Sequence, residues 1–216
     1  MPRYGIVTDL NRCTGCMTCV IACKEENLTG PRVWWRKILE MENETYEHIT
    51  YVPYACMQCD TPACIEACPE EAIYKRPDGI VLIDQNKCTG CRDCIRACPY
   101  GVITINPSND YFAEKLPYQK DADPYRVQQP GKSSKCTFCY HLVDQGQEPR
   151  CVQACPSQVL TFGDLDDPKS PIRAKLWESK QLLASYGTNP KVSYIAPRNM
   201  PKQLEKRVVD NPYMER

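Results

Sequence analysis

Cys88, Cys91, Cys94 and Cys98 stand at the spacing C-x2-C-x2-C-x3-C and are followed by Pro99. Thiolates set at two-residue intervals can close on one point, while a fourth, three residues further on, is carried away from it. That run holds a [4Fe–4S] cubane through three thiolates and lends the fourth to a neighbouring cluster. The chemistry it implies is one-electron transfer. Cys13, Cys16, Cys19 and Cys23 have the same spacing, with Lys24 where the proline would be. Cys56, Cys59, Cys64 and Cys68 have two extra residues before the third cysteine, and Cys136, Cys139, Cys151 and Cys155 are spaced C-x2-C-x11-C-x3-C. The last two blocks end on Pro69 and Pro156, and all 16 cysteines fall in the four blocks. The two-residue gaps are expected to form tight turns that aim backbone N–H groups at cluster sulfides. The fourth cysteine of each block is expected to start a helix leading away.

The elements that must position these residues can be read around them. Between the two middle blocks lies AIYKRPDGIVLIDQ, two β-prone runs about Pro77-Asp78-Gly79, which predicts a hairpin. Residues 4–23 nearly repeat residues 79–98, each cysteine displaced by 75 positions, with Asp9 matching Asp84 and Asn11 matching Asn86. This internal repeat implies a second unit of the same kind. VLTF (159–162) follows the last block as AIYK (72–75) and VITI (102–105) follow the middle ones. Strand, cysteine loop, helix and strand, used twice, resembles the bacterial two-cluster ferredoxin.

The gaps between blocks decide the pairing. Cys68 and Cys88 are 20 residues apart, room for one hairpin, whereas the gaps from Cys23 to Cys56 and from Cys98 to Cys136 are 33 and 38. The middle blocks therefore pair, and the first pairs with the last by elimination. Crossing the fourth cysteines over gives four expected sites: Cys13, Cys16, Cys19 and Cys155; Cys23, Cys136, Cys139 and Cys151; Cys56, Cys59, Cys64 and Cys98; Cys68, Cys88, Cys91 and Cys94. The expected fold is α+β, two nested bacterial-ferredoxin-like units with insertions and a helix-containing C-terminal extension. Residues 1–23 with 136–163 form the outer unit and 56–105 the inner one. Residues 24–55 are an insertion, 106–135 an irregular excursion and 164–216 the extension.

Other residues have bland readings. Trp34 and Trp35 are satellite core or interface before they are a cover over a cluster, and His48 is a surface or strand histidine. His141, in a block that already has four cysteines, belongs on a helix surface. The polar excursion is a surface loop or a partner-binding arm. Ser170 as N-cap, Pro171 and the stop at Gly187 predict a helix with Ile172, Leu176 and Leu183 on one face, and KVSYIAP (191–197) predicts a strand. The polar final twenty residues are expected to wrap a surface.

Composition supports the metal reading. Leu, Ile, Val and Phe make up 41 of 216 residues, 19%, while Lys+Arg and Asp+Glu balance at 27 each. An apolar content this low points to disorder only when net charge is large, so bound metal is expected to hold much of the fold. Each oxidised site carries about 2−, so four would make the holoprotein roughly 8−. Arg12, Lys24, Lys87, Arg92, Arg96, Lys135 and Arg150 stand beside the cysteines and either offset that charge or are solvated surface. No apolar run reaches the roughly 18–20 residues of a membrane span, and MPRYGIVTDLNRC reads as neither a signal core nor a twin-arginine leader. No basic stripe points to nucleic acid. Disulfides fit poorly without a secretory leader, and zinc leaves the third and fourth cysteines unexplained.

The four blocks in this order, with CTFCYHLVDQGQEPRCVQACP and the following FGDLDDP, resemble the four-cluster iron–sulfur subunit of the dimethyl sulfoxide reductase type. The resemblance runs from Tyr4 to about Pro168. It implies four [4Fe–4S] clusters, a molybdopterin (Mo or W) catalytic subunit as partner and a membrane quinone-reactive subunit at the far end. It also implies that the first block pairs with the last. One departure is Leu142, where many relatives carry arginine. By this reading the chain is a non-catalytic electron-transfer subunit, the alternative being a free polyferredoxin acting as a diffusible carrier. The long excursion and polar tail favour the docked subunit. No nucleophile–base pattern or Gly-rich nucleotide loop supports catalysis. Location at the outer membrane face, by co-export with the catalytic partner, is expected ahead of the cytoplasm.

Overall fold

The computed structural model describes residues 1–42, 49–107 and 129–197. His48, most of the 106–135 excursion and nearly all of the final twenty residues lie outside them.

A four-stranded sheet brings the two ends of the described chain together. Its central strand β1 (Tyr4–Asp9) pairs antiparallel with β8 (Leu160–Asp164) and parallel with β10 (Val192–Ile195), which pairs antiparallel with β9 (Lys180–Gln181). Gly5 through Thr8 are all buried because both faces of β1 are covered. A Cβ at Gly5 would lie 2.7 Å from the Lys191 carbonyl oxygen, so glycine is what lets β10 approach. On one side, Val7 packs with Leu165 and Ile172. On the other, Ile6, Leu160, Phe162 and Tyr194 join the main core, with Val20, Trp35, Val52, Tyr54, Met57 and Phe138.

The insertion is an antiparallel ribbon of β2 (Arg36–Glu42) and β3 (Ile49–Ala55), in register from Arg36↔Ala55 to Glu42↔Ile49. Trp35 enters the main core and its Nε1 donates to Ser134 Oγ at 3.0 Å. Trp34 stays at the surface with Lys24 Nζ 4.1 Å from its ring centroid. The expected hairpin is β4 (Ile73–Lys75) against β5 (Val81–Ile83), turning through Gly79 at φ +81°. Two-residue strands β6 (Thr104–Ile105) and β7 (Ser133–Ser134) pair antiparallel.

The helices are short: α1 (Thr18–Glu26), α2 (Ala63–Glu66), α3 (Asp93–Ala97), α4 (Tyr140–Val143), α5 (Arg150–Gln153) and α6 (Arg173–Leu176). Helix α1 packs on α5 and α2 on α3.

The helix expected from Ser170 to Gly187 is corrected to α6 alone. After Leu176 the chain pairs as β9, Leu183 turns left-handed at φ +50°, and Gly187 caps only a 3-10 turn, Ala184–Tyr186. The assumed single face is divided: Ile172 serves the core behind β1, whereas Leu183 serves the main core. Two destinations on opposite sides of the sheet override one helical stripe. The strand expected at 191–197 is β10.

Candidate metal centres

Each block opens on a turn that needs a left-handed residue before the second cysteine: Gly15 (φ +71°), Gln58 (+48°), Gly90 (+78°) and Phe138 (+54°). Two of these positions admit only glycine on space as well. A Cβ at Gly15 would meet the Tyr51 ring at 2.5 Å, and one at Gly90 would collide with the Gly131 carbonyl. The third cysteines, Cys19, Cys64, Cys94 and Cys151, lie on α1, α2, α3 and α5.

The expected role of the fourth cysteine is corrected here. Cys68, Cys98 and Cys155 follow the ends of α2, α3 and α5 instead of starting helices. The proline after each removes an N–H and drives the preceding residue out of the helical region; Cys98 sits at φ −77°, ψ 111°. Left-handed Glu71, Gly101 and Gln158 then reverse the chain. The N–H of Ala72 and of Val159 thereby reach the Sγ of Cys68 and of Cys155, each at 3.3 Å, and Val102 N–H bonds to Cys98. Block one departs: without a proline, α1 runs through Cys23 to Glu26. The donor there is the buried Asn27 amide, whose Nδ2 lies 3.7 Å from Cys23 Sγ and 3.6 Å from Cys139 Sγ.

Cysteines from distant blocks share pockets. Cys56, Cys59, Cys64 and Cys98 line one pocket, Cys68, Cys88, Cys91 and Cys94 a second, and Cys13, Cys16, Cys19 and Cys155 a third. Identical donors argue for one kind of occupant. Cys23, Cys136, Cys139 and Cys151 are all buried, and the last three are the charges that act most strongly on Cys23. Quartets of soft thiolates with N–H groups at the sulfurs of Cys68 and Cys155 fit a [4Fe–4S] cubane.

Electrostatics divides the cysteines. Burial pushes the Cys59, Cys64 and Cys136 thiols up to about 12 and those of Cys19 and Cys139 to about 11. Metal must therefore displace protons to bind there. Cys16 and Cys91 are exposed, and a hydrogen bond with the Thr18 hydroxyl, 3.4 Å away, holds the Cys16 thiol below its ordinary value.

Of the seven basic residues beside the blocks, Arg12, Lys87, Arg92 and Arg96 are exposed. Lys24 Nζ caps the Gly30 and Val33 carbonyls at 2.7 and 3.0 Å, and Arg150 donates to Glu26 at 2.8 Å. Only Lys135 is buried, donating to the carbonyls of Val81 and Cys136, with its charge acting on Cys59 and Cys64. His141 is half-buried on α4, not at an open surface, with Nε2 2.8 Å from Glu26 Oε1. Leu142 is buried in the core, so no charge stands at that position.

Sequence reasoning missed Arg36 and Asn27. Arg36 is buried at the start of β2, and its charge acts on cysteines of two quartets. The available signal was a cation at the inward phase of an alternating strand, Arg36 sharing its face with Ile38. For Asn27 it was the missing proline, which lets the helix run one more turn.

Comparison with known proteins agrees with this chemistry. Family profiles described as a 4Fe–4S dicluster domain match residues 12–72, 47–115 and 108–165. The chain is 35% identical to the arsenate respiratory reductase iron-sulfur subunit ArrB of Shewanella sp. (strain ANA-3), covering 89% of this chain and 96% of that protein. It is 38% identical to one subunit of the selenate reductase of Mesobacillus selenatarsenatis, over 89% and 72%. Against one chain of the anaerobic dimethyl sulfoxide reductase of Escherichia coli (strain K12) it is 34% identical, over 76% and 75%.

Proposed function

This protein belongs to the family of iron–sulfur subunits of dimethyl sulfoxide reductase-type enzymes, and from that premise we propose that it is a non-catalytic electron-transfer subunit with four [4Fe–4S] clusters. The observation that carries the proposal is the meeting of four cysteine quartets drawn from blocks as far apart as Cys13 and Cys155. Cys13, Cys16, Cys19 and Cys155 would hold the first cluster, and Cys23, Cys136, Cys139 and Cys151 the second. Cys56, Cys59, Cys64 and Cys98 would hold the third, and Cys68, Cys88, Cys91 and Cys94 the fourth. Bound there, the clusters supply reversible one-electron chemistry. The protein's own part is to fix the thiolates, direct N–H groups at sulfur and keep water from the buried sites.

In this reading two ferredoxin-like units are nested, residues 1–23 with 136–163 around residues 56–105. The pairing of β1 with β8 and the packing of α1 on α5 support it. The 24–55 insertion, the 106–135 excursion and the 164–216 extension complete the chain.

The partner is a catalytic subunit holding molybdopterin with Mo or W, where catalysis resides, and the second partner is quinone- or carrier-reactive. Among the described residues no helix is long and apolar enough to cross a membrane, so membrane attachment is assigned to that partner. The complex is placed at the outer membrane face, exported with its catalytic subunit; cell fractionation tests this, and recovery with the cytoplasmic fraction would reverse it. The test of function is anaerobic purification with partners retained, followed by metal analysis. About 16 Fe per chain with stoichiometric Mo or W on a larger second chain is expected. The same iron on a lone chain would make it a diffusible polyferredoxin, and zinc in place of iron would end both readings.

A further inference from the structure

Cys19 and Cys23 lie four residues apart on α1, yet they belong to different quartets. Cys19 lines the cavity with Cys13, Cys16 and Cys155, while Cys23 meets Cys136, Cys139 and Cys151. Helix α1 packs against α5, which carries Cys151, and against β2, whose first residue is Arg36. The seam between the first two quartets is thus walled by α1, α5 and the start of β2.

Arg36 occupies this seam. It is 4% exposed, and among the described residues no Asp or Glu forms an ion pair with it. The cysteines whose charge acts on its guanidinium are Cys151, Cys19, Cys136 and Cys23. Its field reaches Cys13 as well, so it acts on two cysteines of the first quartet and three of the second. A buried cation without a carboxylate is costly unless negative charge stands opposite it. Here that charge is thiolate, and it belongs to two sites at once.

We infer that Arg36 is a shared counter-cation of the first two quartets that raises the reduction potential of both [4Fe–4S] groups held there. The inference rests on the electron-transfer reading above. Reduction adds one negative charge to each site, and a fixed positive charge stabilises the reduced form more than the oxidised one. Exclusion of water strengthens the effect, because the interaction is neither diluted by a high dielectric nor screened by salt. Arginine suits the place, since its charge survives burial where that of lysine is readily lost. Lys135 is the buried cation whose charge acts on Cys59 and Cys64 of the third quartet.

The test is potentiometric titration, followed by electron paramagnetic resonance, of the anaerobically purified complex carrying wild-type chain, Arg36→Lys or Arg36→Gln. Iron per chain is measured on each. Arg36→Gln is expected to leave two of the four clusters about tenfold less reduced at a fixed potential, which is 59 mV for one electron. The other two clusters stay unmoved, and Arg36→Lys recovers most of the difference. Loss of about half the iron in Arg36→Gln, with Arg36→Lys intact, supports the same conclusion because charge is then what the sites require. Unshifted potentials in Arg36→Gln overturn the inference, as do a shift in one cluster only, iron loss from all sites, or equal damage in Arg36→Lys. Wild-type protein without iron would sink the electron-transfer reading itself, whereas about 16 Fe in wild type with no shift in Arg36→Gln removes only the role given to Arg36.

Discussion

The second and fourth quartets use the same donors in opposite surroundings. Cys23, Cys136 and Cys151 are buried in the main core and Cys139 is buried too, with the Asn27 amide at the sulfurs of Cys23 and Cys139 and the charge of Arg36 acting on Cys23. Cys68, Cys88, Cys91 and Cys94 sit over a small core of Ile73, Val81 and Ile103, with Cys91 open to solvent. Lys87, Arg92 and Arg96 near them are exposed, and Arg96 is paired with Asp93. The same thiolate charge must be offset in both places. Where water is shut out, a buried cation and an amide do so; where water is present, the solvent does, and basic residues at the rim add little.

The widest gap between the two regions should appear when a thiolate is removed. Cys151→Ser is expected to lose the iron of its site and to lower the unfolding temperature of the whole chain, because site and main core are one packed body. Cys91→Ser should lose at most about four Fe and leave the melting of the main core nearly unchanged. Equal damage in the two variants would break the comparison.

Turn geometry gives the next contrast. Gly90→Ala places a Cβ on the Gly131 carbonyl at φ +78°, whereas Gly146→Ala, at φ +74°, meets open space. Strain alone costs about 1–2 kcal/mol, so Gly146→Ala should cost that much in denaturant unfolding and Gly90→Ala considerably more. Gln58 joins the two regions: its Nε2 donates to the Cys136 carbonyl and its Oε1 accepts from Val81 N–H, both at 2.7 Å. Gln58→Leu leaves the Val81 N–H buried without its partner, at about 1–3 kcal/mol, and takes one of two donors from the Cys136 carbonyl, which keeps Lys135 Nζ. The same unfolding measurement checks it.

The smallest effect is expected at the Arg76–Asp144 pair, which is partly exposed. Its hydrogen bond to Arg76 holds the Asp144 carboxyl below its ordinary value. The stability it adds is therefore present above the unfolded carboxylate value, near pH 4, and is lost as pH falls through the lower folded value. Asp144→Asn should cost under about 1 kcal/mol at neutral pH and nothing in strong acid. A larger loss, or one that grows on acidification, would show that the pair does more than a surface ion pair.

Legibility in the sequence followed the range of the forces. The cysteine turns, the Pro77–Gly79 hairpin and the repeat of β1 were readable because a few adjacent residues settle each of them. The four-stranded sheet was not, since nothing local to Tyr4–Asp9 announces that it lies between Leu160–Asp164 and Val192–Ile195. The C-terminal helix failed for the same reason: caps and periodicity are local, and the long-range pairing of β9 with β10 overrode them. The meeting of the quartets follows spacing. The environment of those quartets does not, because the inward phase of its strand is all that marks Arg36 in sequence until β2 and β3 pair.

Closing the sheet through β1, β8 and β10 also sets an order of manufacture. The eight cysteines of the two middle blocks are complete once Cys98 has left the ribosome. Cys13, Cys16, Cys19 and Cys23 meet their counterparts only when residues 136–155 emerge, 113 residues after Cys23 at the nearest. At about 5–20 residues per second, Cys23 waits roughly 6–23 s for Cys136, and Cys19 roughly 7–27 s for Cys155, 136 residues on. The block made ahead of the other three is thus among the last to have its ligand sets completed.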